Sequence, residues 1–227
     1  LTIMKLSSAT ESAADSLREQ IILGEIRAGQ RLNEVDLAKD LGISRPPLRE
    51  AYRILENERL VEIRPRIGAF VTEISESDLE KIYAVRTMIE LKAVEILSEK
   101  EGDSLKEIQQ AVDDAQRFRI SDPKDSKEVL RYWEVFAGFH EKMVESCGNY
   151  YLIRFYKVIG YNLARYQIMY LQIPGIAAIS AEDHYKILGL VRNRRRETAK
   201  KNLKVHLDKT LAILKEHIHQ KENIQAS

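Results

Sequence analysis

Residues 41–71 read LGISRPPLREAYRILENERLVEIRPRIGAFV, and the fold of the first third of the chain follows from where this stretch starts a helix and where its period changes. Ahead of it, Asn33 begins a short helix carrying Val35, Leu37, Ala38 and Leu41, which ends at Gly42, a residue suited to a left-handed helix terminator. Ser44 is placed to cap the next helix. Pro46 and Pro47 then take its second and third positions, where backbone N–H groups have no intrahelical partner, so the prolines cost little and stiffen the entry. They also remove donors that an N-cap serine normally engages, which frees the Ser44 hydroxyl for a phosphate. Leu48, Ala51, Tyr52 and Leu55 recur at i, i+3, i+4 and i+7 and predict an inward apolar stripe. Arg45, Arg49 and Arg53 lie away from that stripe, where long cationic side chains reach phosphates and guanine edges. A solvated face paired with glutamates such as Glu50 and Glu56 is the alternative reading of the same charges. After Leu60 the period changes to two β-rich runs, 60–63 and 69–74, separated by RPRIG, which predicts a two-stranded wing with Arg64 and Arg66.

Working outward, residues 11–25 predict a helix with Ala14, Leu17, Ile21 and Ile22 on one face, followed by a turn at RAGQR. The two later helices joined by GIS make a helix-turn-helix. Beyond residue 74 there is no strand-like alternation, and six helices are predicted at 77–98, 103–119, 126–146, 149–172, 181–193 and 195–219. Ser75 or Ser77 caps the first of them, and turn chemistry separates the rest at EGD, SDP, CGN and PGIAAIS. The expected architecture is mainly α, an N-terminal winged helix-turn-helix domain over residues 1–74 and an all-α bundle over 75–227.

Composition bounds what this architecture can do. Hydrophobic residues make up 44% of 227, enough for real cores. With 36 Lys and Arg against 35 Asp and Glu, bulk charge favours no partner, but residues 44–66 hold six arginines against four glutamates. The one cysteine, Cys147, cannot form an intramolecular disulfide, and the opening residues lack the apolar run and cleavage site of a secretory signal. Charges interrupt every helix-like segment short of the roughly 20 apolar residues that a membrane span requires. A cytoplasmic protein with no membrane partner is expected.

LAKDLGISRPPLREAYRILENERLVEIRPRIGAFV resembles the winged-helix signature of the GntR family of bacterial transcription regulators. The resemblance implies that Ser44, Arg45, Pro47, Arg49 and the wing tip around Arg66 and Gly68 touch double-stranded DNA, and that the protein is a homodimer on a palindromic operator. Gly68 suits a tip that approaches a backbone closely. Two positions depart from the family pattern: Pro46 stands where threonine is frequent, and Arg59 where glycine is common.

In the predicted helix 77–98, Arg86 interrupts a stripe of Ile82, Ile89, Ala93 and Ile96. A guanidinium on an apolar face needs an anion, and Glu90 one turn on or the carboxylate of a bound effector would serve. His140, His184 and His206 each lie on the apolar side of their helix, with Phe136 and Met143, with Ile187 and Leu188, and with Leu203 and Leu214 respectively. One such histidine is usually a satisfied core residue. Three on separate inward faces suit zinc or another divalent transition metal. FHEKMVESCGN, AEDH and KVHL resemble the histidine-bearing segments of the FadR C-terminal ligand-binding domain, or FCD domain, in its six-helix form. That resemblance implies an effector site for a small organic acid and a metal such as zinc or nickel on the three histidines. Metal-binding members carry an aspartate four residues before the first histidine, where this chain has Phe136, so the three histidines argue for a site and the lost carboxylate for a weaker or altered one. His217 and His219 fit no family position and read as surface or tail residues.

Three functions compete on this sequence: a ligand-responsive DNA-binding regulator, expected to be a repressor, an enzyme built on the histidine bundle, and a DNA-binding protein whose bundle only dimerises. Di-iron chemistry needs two Glu-x-x-His pairs, and the chain has that spacing only at Glu216 and His219; HEKMV lacks the second histidine of a metalloprotease motif. A regulator that is not an enzyme is the expected reading, with a metal-independent sensor on the same fold as its variant.

Overall fold

The computed structural model of the chain describes residues 8–100, 102–117, 120–122 and 125–226. It divides into two compact units between Ile74 and Ser75. The first unit runs α1 (Ala9–Leu23), β1 (Arg31–Leu32), α2 (Glu34–Asp40), α3 (Arg45–Asn57), β2 (Val61–Arg64) and β3 (Gly68–Val71). Helix α1 starts two residues earlier than its apolar face predicts, because Ser8 and Glu11 form a reciprocal capping box. The RAGQR segment is more than a turn. Arg31 and Leu32 pair antiparallel with β3, so the wing is a three-stranded sheet in the order β1-β3-β2. A two-residue strand carries no periodicity, which is why sequence pattern misses it.

Leu17 and Ile21 of α1, Leu48, Tyr52 and Leu55 of α3, Leu32 of β1 and Val61, Ala69 and Val71 of the hairpin close one core. Leu48 and Leu55 are wholly buried, each contributing about 1.5–3 kcal/mol of burial. Val35 does not join this core; it is 60% exposed beside α3. Arg59 takes φ 58, a left-handed conformation that glycine adopts at the least cost.

The second unit is all helical: α4 (Glu76–Leu97), a 3-10 turn (Gly102–Leu105), α5 (Lys106–Arg117), α6 (Ser126–Ser146), α7 (Tyr150–Leu171), α8 (Ile176–Arg192) and α9 (Arg196–Ala226). Ser75 is the cap of α4, its side chain accepting from the Asp78 N–H at 3.1 Å. Predicted helix 103–119 begins as the 3-10 turn, and its last two residues lie outside the described residues. Helix α8 begins five residues before its predicted start: Gly175, at φ 79, ends the break, and IAAIS is already helical. Helix α9 runs on past 219, so His217 and His219 belong to it, with His219 Nε2 2.6 Å from Glu76 on α4. Helix α4 packs against α6, α7 and α9, and α9 also packs against α8. This arrangement brings one face each of α4, α6, α8 and α9 to a common centre. Among the described residues no helix is long and apolar enough to cross a membrane.

Candidate functional site

Two groups of side chains carry chemistry, one in each unit. In the first, Ser44 is the N-cap of α3 with extended backbone, and its side chain makes no capping hydrogen bond. Pro46 and Pro47 supply no N–H where that bond would form. Arg45 and Arg49 are more than half exposed and Arg53 more so, on the side of α3 opposite the buried stripe. Arg53 pairs with Glu50 at 2.9 Å, but Glu56 accepts from the Ile63 N–H instead of pairing with an arginine. Arg45 and Arg49 both pair with Glu34 of α2, a partner that spacing along α3 could not reveal.

The wing tip is a turn closed by Ile67 N–H donating to the Arg64 carbonyl at 3.0 Å, with Arg66 at φ 63 and exposed. Gly68 sits at φ 133, and a Cβ there would come within 3.2 Å of the Arg31 guanidinium, which itself donates to the Ile67 carbonyl at 2.7 Å. Glycine is favoured here by its backbone, since side-chain-bearing residues rarely adopt φ 133, whereas the Arg31 side chain could shift to admit a Cβ. Arg64 lies 4.5 Å over the Phe70 ring and pairs with Glu62 at 2.8 Å. Arg31, Arg45, Arg49, Arg53, Arg64 and Arg66 thus line one groove, with Glu34 at its base.

The second group is buried. His140 of α6, His184 of α8 and His206 of α9 converge so that one ligand atom from each lies within 4.8 Å of the others. His140 and His184 are 0% exposed and His206 4%. Each of two rings is oriented by a carboxylate. His140 Nδ1 lies 2.8 Å from Glu90 Oε2, and His206 Nδ1 lies 3.2 Å from Asp183 Oδ2. Burial lowers the His140 pKa to about 4 despite the opposing charge of Glu90, so at neutral pH the ring is uncharged. The Glu90 contact is then an N–H to carboxylate hydrogen bond that fixes the tautomer and leaves the Nε2 lone pair facing the cluster. Burial drives His184 well below the usual histidine range as well.

Glu90 is the hub beneath the histidines. Its Oε1 accepts from Arg86 Nε at 2.7 Å and from the Tyr156 hydroxyl at 3.1 Å. Burial pushes this carboxyl upward, but Arg86 and His140 outweigh burial and hold it at about 2. Arg86, 1% exposed, gives Nη1 to the Tyr83 hydroxyl at 3.1 Å, while its Nη2 has no hydrogen-bond partner. Of the two anions that sequence allowed for Arg86, Glu90 is the one in contact, with a single Nη2 left over.

Three histidine ring nitrogens fit a borderline transition metal, and His140 Nε2, buried and without a hydrogen-bond partner, is the kind of polar atom that such a site leaves. His184 Nε2 and His206 Nε2 are 3.3 Å apart, close to the roughly 3.4 Å that two bonds of about 2.1 Å span at a tetrahedral metal. Phe136 takes the place one turn before His140 at which the resemblance implied a carboxylate. Its ring lies 5.1 Å from that of His184 and 6.4 Å from that of His140, and Phe139 stacks on His184 at 4.2 Å. The site therefore offers three nitrogen ligands under an aromatic wall. Asp183 and Phe139 were missed by sequence reading, although Asp183 adjoins His184 in AEDH; its reach is to the neighbouring helix.

Residues 9–71 match the model of bacterial regulatory proteins of the gntR family, and residues 81–209 match that of the FCD domain. The chain is 27% identical to the HTH-type transcriptional regulator YdhC of Bacillus subtilis (strain 168), over 92% of each chain. It is 25% identical to the HTH-type transcriptional repressor GlaR of Escherichia coli (strain K12), over 88% of this chain and 93% of that one. The crystal structure of a GntR transcriptional regulator from Rhodococcus sp. RHA1 has the same fold, with TM-score 0.72 at 24% identity, covering 92% of this chain and 98% of that one. These matches describe transcriptional regulators, not enzymes. The chain belongs to the gntR family of bacterial regulators, a DNA-binding transcriptional regulator with a winged helix-turn-helix and an FCD domain.

Proposed function

We propose that this regulator is a cytoplasmic homodimeric repressor that reads a palindromic operator with Ser44, Arg45, Pro47, Arg49, Arg66 and Gly68. Its bundle takes a small organic acid through Arg86 and a divalent transition metal, zinc or nickel, on His140, His184 and His206. The observation that carries the reading is the convergence of three buried histidines, two of them already oriented by Glu90 and Asp183. The metal would supply a Lewis-acidic point for an effector carboxylate. Phe136 leaves that coordination position to the effector or to water, and the unpartnered Arg86 Nη2 gives the effector a second cationic contact. Effector binding shifts the population that grips the operator, to the extent that it favours one conformation over the other.

The DNA half of the reading has a direct check. Arg49→Ala, or Arg45→Ala, is expected to weaken binding to a duplex selected by the wild-type protein from a random-sequence pool by about 1–3 kcal/mol. Both side chains are exposed and off the core, so circular dichroism should not change. Full affinity in a folded variant would contradict the assignment of α3 as recognition helix.

A single winged helix reads only a few base pairs, so two-fold symmetry is expected of protein and operator together. Sedimentation at micromolar concentration should give a dimer. A monomer both with and without the selected duplex would overturn this part of the proposal.

A further inference from the structure

Arg45 and Arg49, the arginines assigned to base reading, do not stand free. Glu34, the first residue of α2, reaches across to α3 and divides its carboxylate between them. Oε1 takes Arg45 Nε at 2.6 Å, and Oε2 takes Arg49 Nε at 3.0 Å. The Glu34 side chain is 24% exposed against 57% and 61% for the arginines, so the carboxylate sits low in the groove and the cations rise out of it. Hydrogen bonds from the two arginines hold the Glu34 carboxyl below its ordinary range, and it stays ionised at neutral pH.

The atoms used matter. Both contacts are made by Nε, and Glu34 takes none of the Nη groups. Arginine recognises guanine with a fork of two N–H groups on O6 and N7, and the fork formed by Nη1 and Nη2 remains available on each side chain. A flexible arginine loses rotamer entropy when it settles on a base; one already held at Nε loses less. The Glu34 charge also opposes a phosphate lodging between the same two arginines, and phosphate contacts supply most non-specific affinity. Specificity is a difference of two affinities, and one carboxylate here acts on both.

We propose that Glu34 is a positioning and specificity-determining residue for operator recognition: it fixes Arg45 and Arg49 by their Nε edges, presents their Nη edges to guanines, and repels phosphate from the gap. The inference rests on the assignment of these arginines as base readers. It is tested by measuring affinity for the selected duplex and for a scrambled duplex of equal composition, at one salt concentration, for wild type, Glu34→Gln, Glu34→Asp and Arg49→Ala.

Glu34→Gln is expected to weaken the selected duplex about tenfold while scrambled DNA binds as well or better, so that the ratio of the two collapses. Glu34→Asp keeps the charge but is one methylene too short to span both guanidinium groups, and its ratio should fall as well. An unchanged ratio in Glu34→Gln, or an equal gain on both duplexes, overturns the proposal. A full wild-type ratio in Glu34→Asp overturns the bridging geometry. Arg49→Ala separates the two levels. If it binds the selected duplex at full strength, the base-reading assignment fails and the inference with it; if it loses affinity while Glu34→Gln keeps the wild-type ratio, only the role of Glu34 fails. Melting temperature and helical circular dichroism of each variant establish that it is folded.

Discussion

Glu90→Ala is expected to destabilise the bundle by about 3–5 kcal/mol, the usual cost of stranding one partner of a buried ion pair. Arg86 and Glu90 are 1% and 0% exposed, one turn apart on α4. Removing the carboxylate leaves a guanidinium that cannot shed its proton among apolar neighbours, held only by the Tyr83 hydroxyl. It also removes the acceptor for His140 Nδ1–H and for the Tyr156 hydroxyl, so three buried donors lose a partner at once. The pair itself is a modest source of net stability, because burial disfavours both charges. The double variant Arg86→Met with Glu90→Leu should therefore recover much of the loss. Trp133 of α6, the single tryptophan, reports this unit by fluorescence during urea unfolding. A midpoint shift worth under about 1 kcal/mol for Glu90→Ala would show that water, not Glu90, satisfies Arg86.

The other large effect is expected at Phe136. Position 136 lies one turn before His140 on the same face of α6, with its ring 5.1 Å from that of His184 and 6.4 Å from that of His140, so a carboxylate there would be beside the cluster. Phe136→Asp is expected to raise zinc or nickel affinity by about 10- to 100-fold, by adding an anionic oxygen ligand to three nitrogens. Without metal the same substitution buries a carboxylate at a 3% exposed position, and the variant should melt well below wild type in chelator. Metal then restores it, because binding to the folded state alone adds stability in proportion to the logarithm of free metal over Kd. His184→Ala is expected to abolish metal binding in both backgrounds. A Phe136→Asp variant whose metal affinity equals that of wild type would show that position 136 does not face the site.

Much of this was legible in the sequence because it depends on local pattern. The i, i+3, i+4, i+7 stripe of Leu48, Ala51, Tyr52 and Leu55 and the change to β-rich alternation after Leu60 specify the helix-turn-helix and its wing. His140, His184 and His206 were legible together because each sits among apolar residues at helical spacing, so each must face inward. What was not legible depends on pairings between distant segments. Strand β1 has two residues and exists through its partner β3. Glu34 lies eleven residues before Arg45, in a different helix, and no spacing along α3 points to it. The start of α8 was misplaced because PGIAAIS holds a glycine and a serine that both read as turn chemistry, whereas Gly175 alone adopts the left-handed conformation that ends the break. Arg59 shows the reverse case: the resemblance implied a glycine at this position, and the positive φ there is one that glycine adopts at the least cost.

The metal proposed for His140, His184 and His206 is open to direct measurement. Isothermal titration of zinc into chelator-stripped wild-type protein tests it most directly. Saturable binding of one ion per chain is expected, weaker than in the Phe136→Asp variant and lost in His184→Ala. Absence of binding up to about millimolar zinc would contradict it, and would leave His184 and His206 as a hydrogen-bonded pair in a metal-independent sensor.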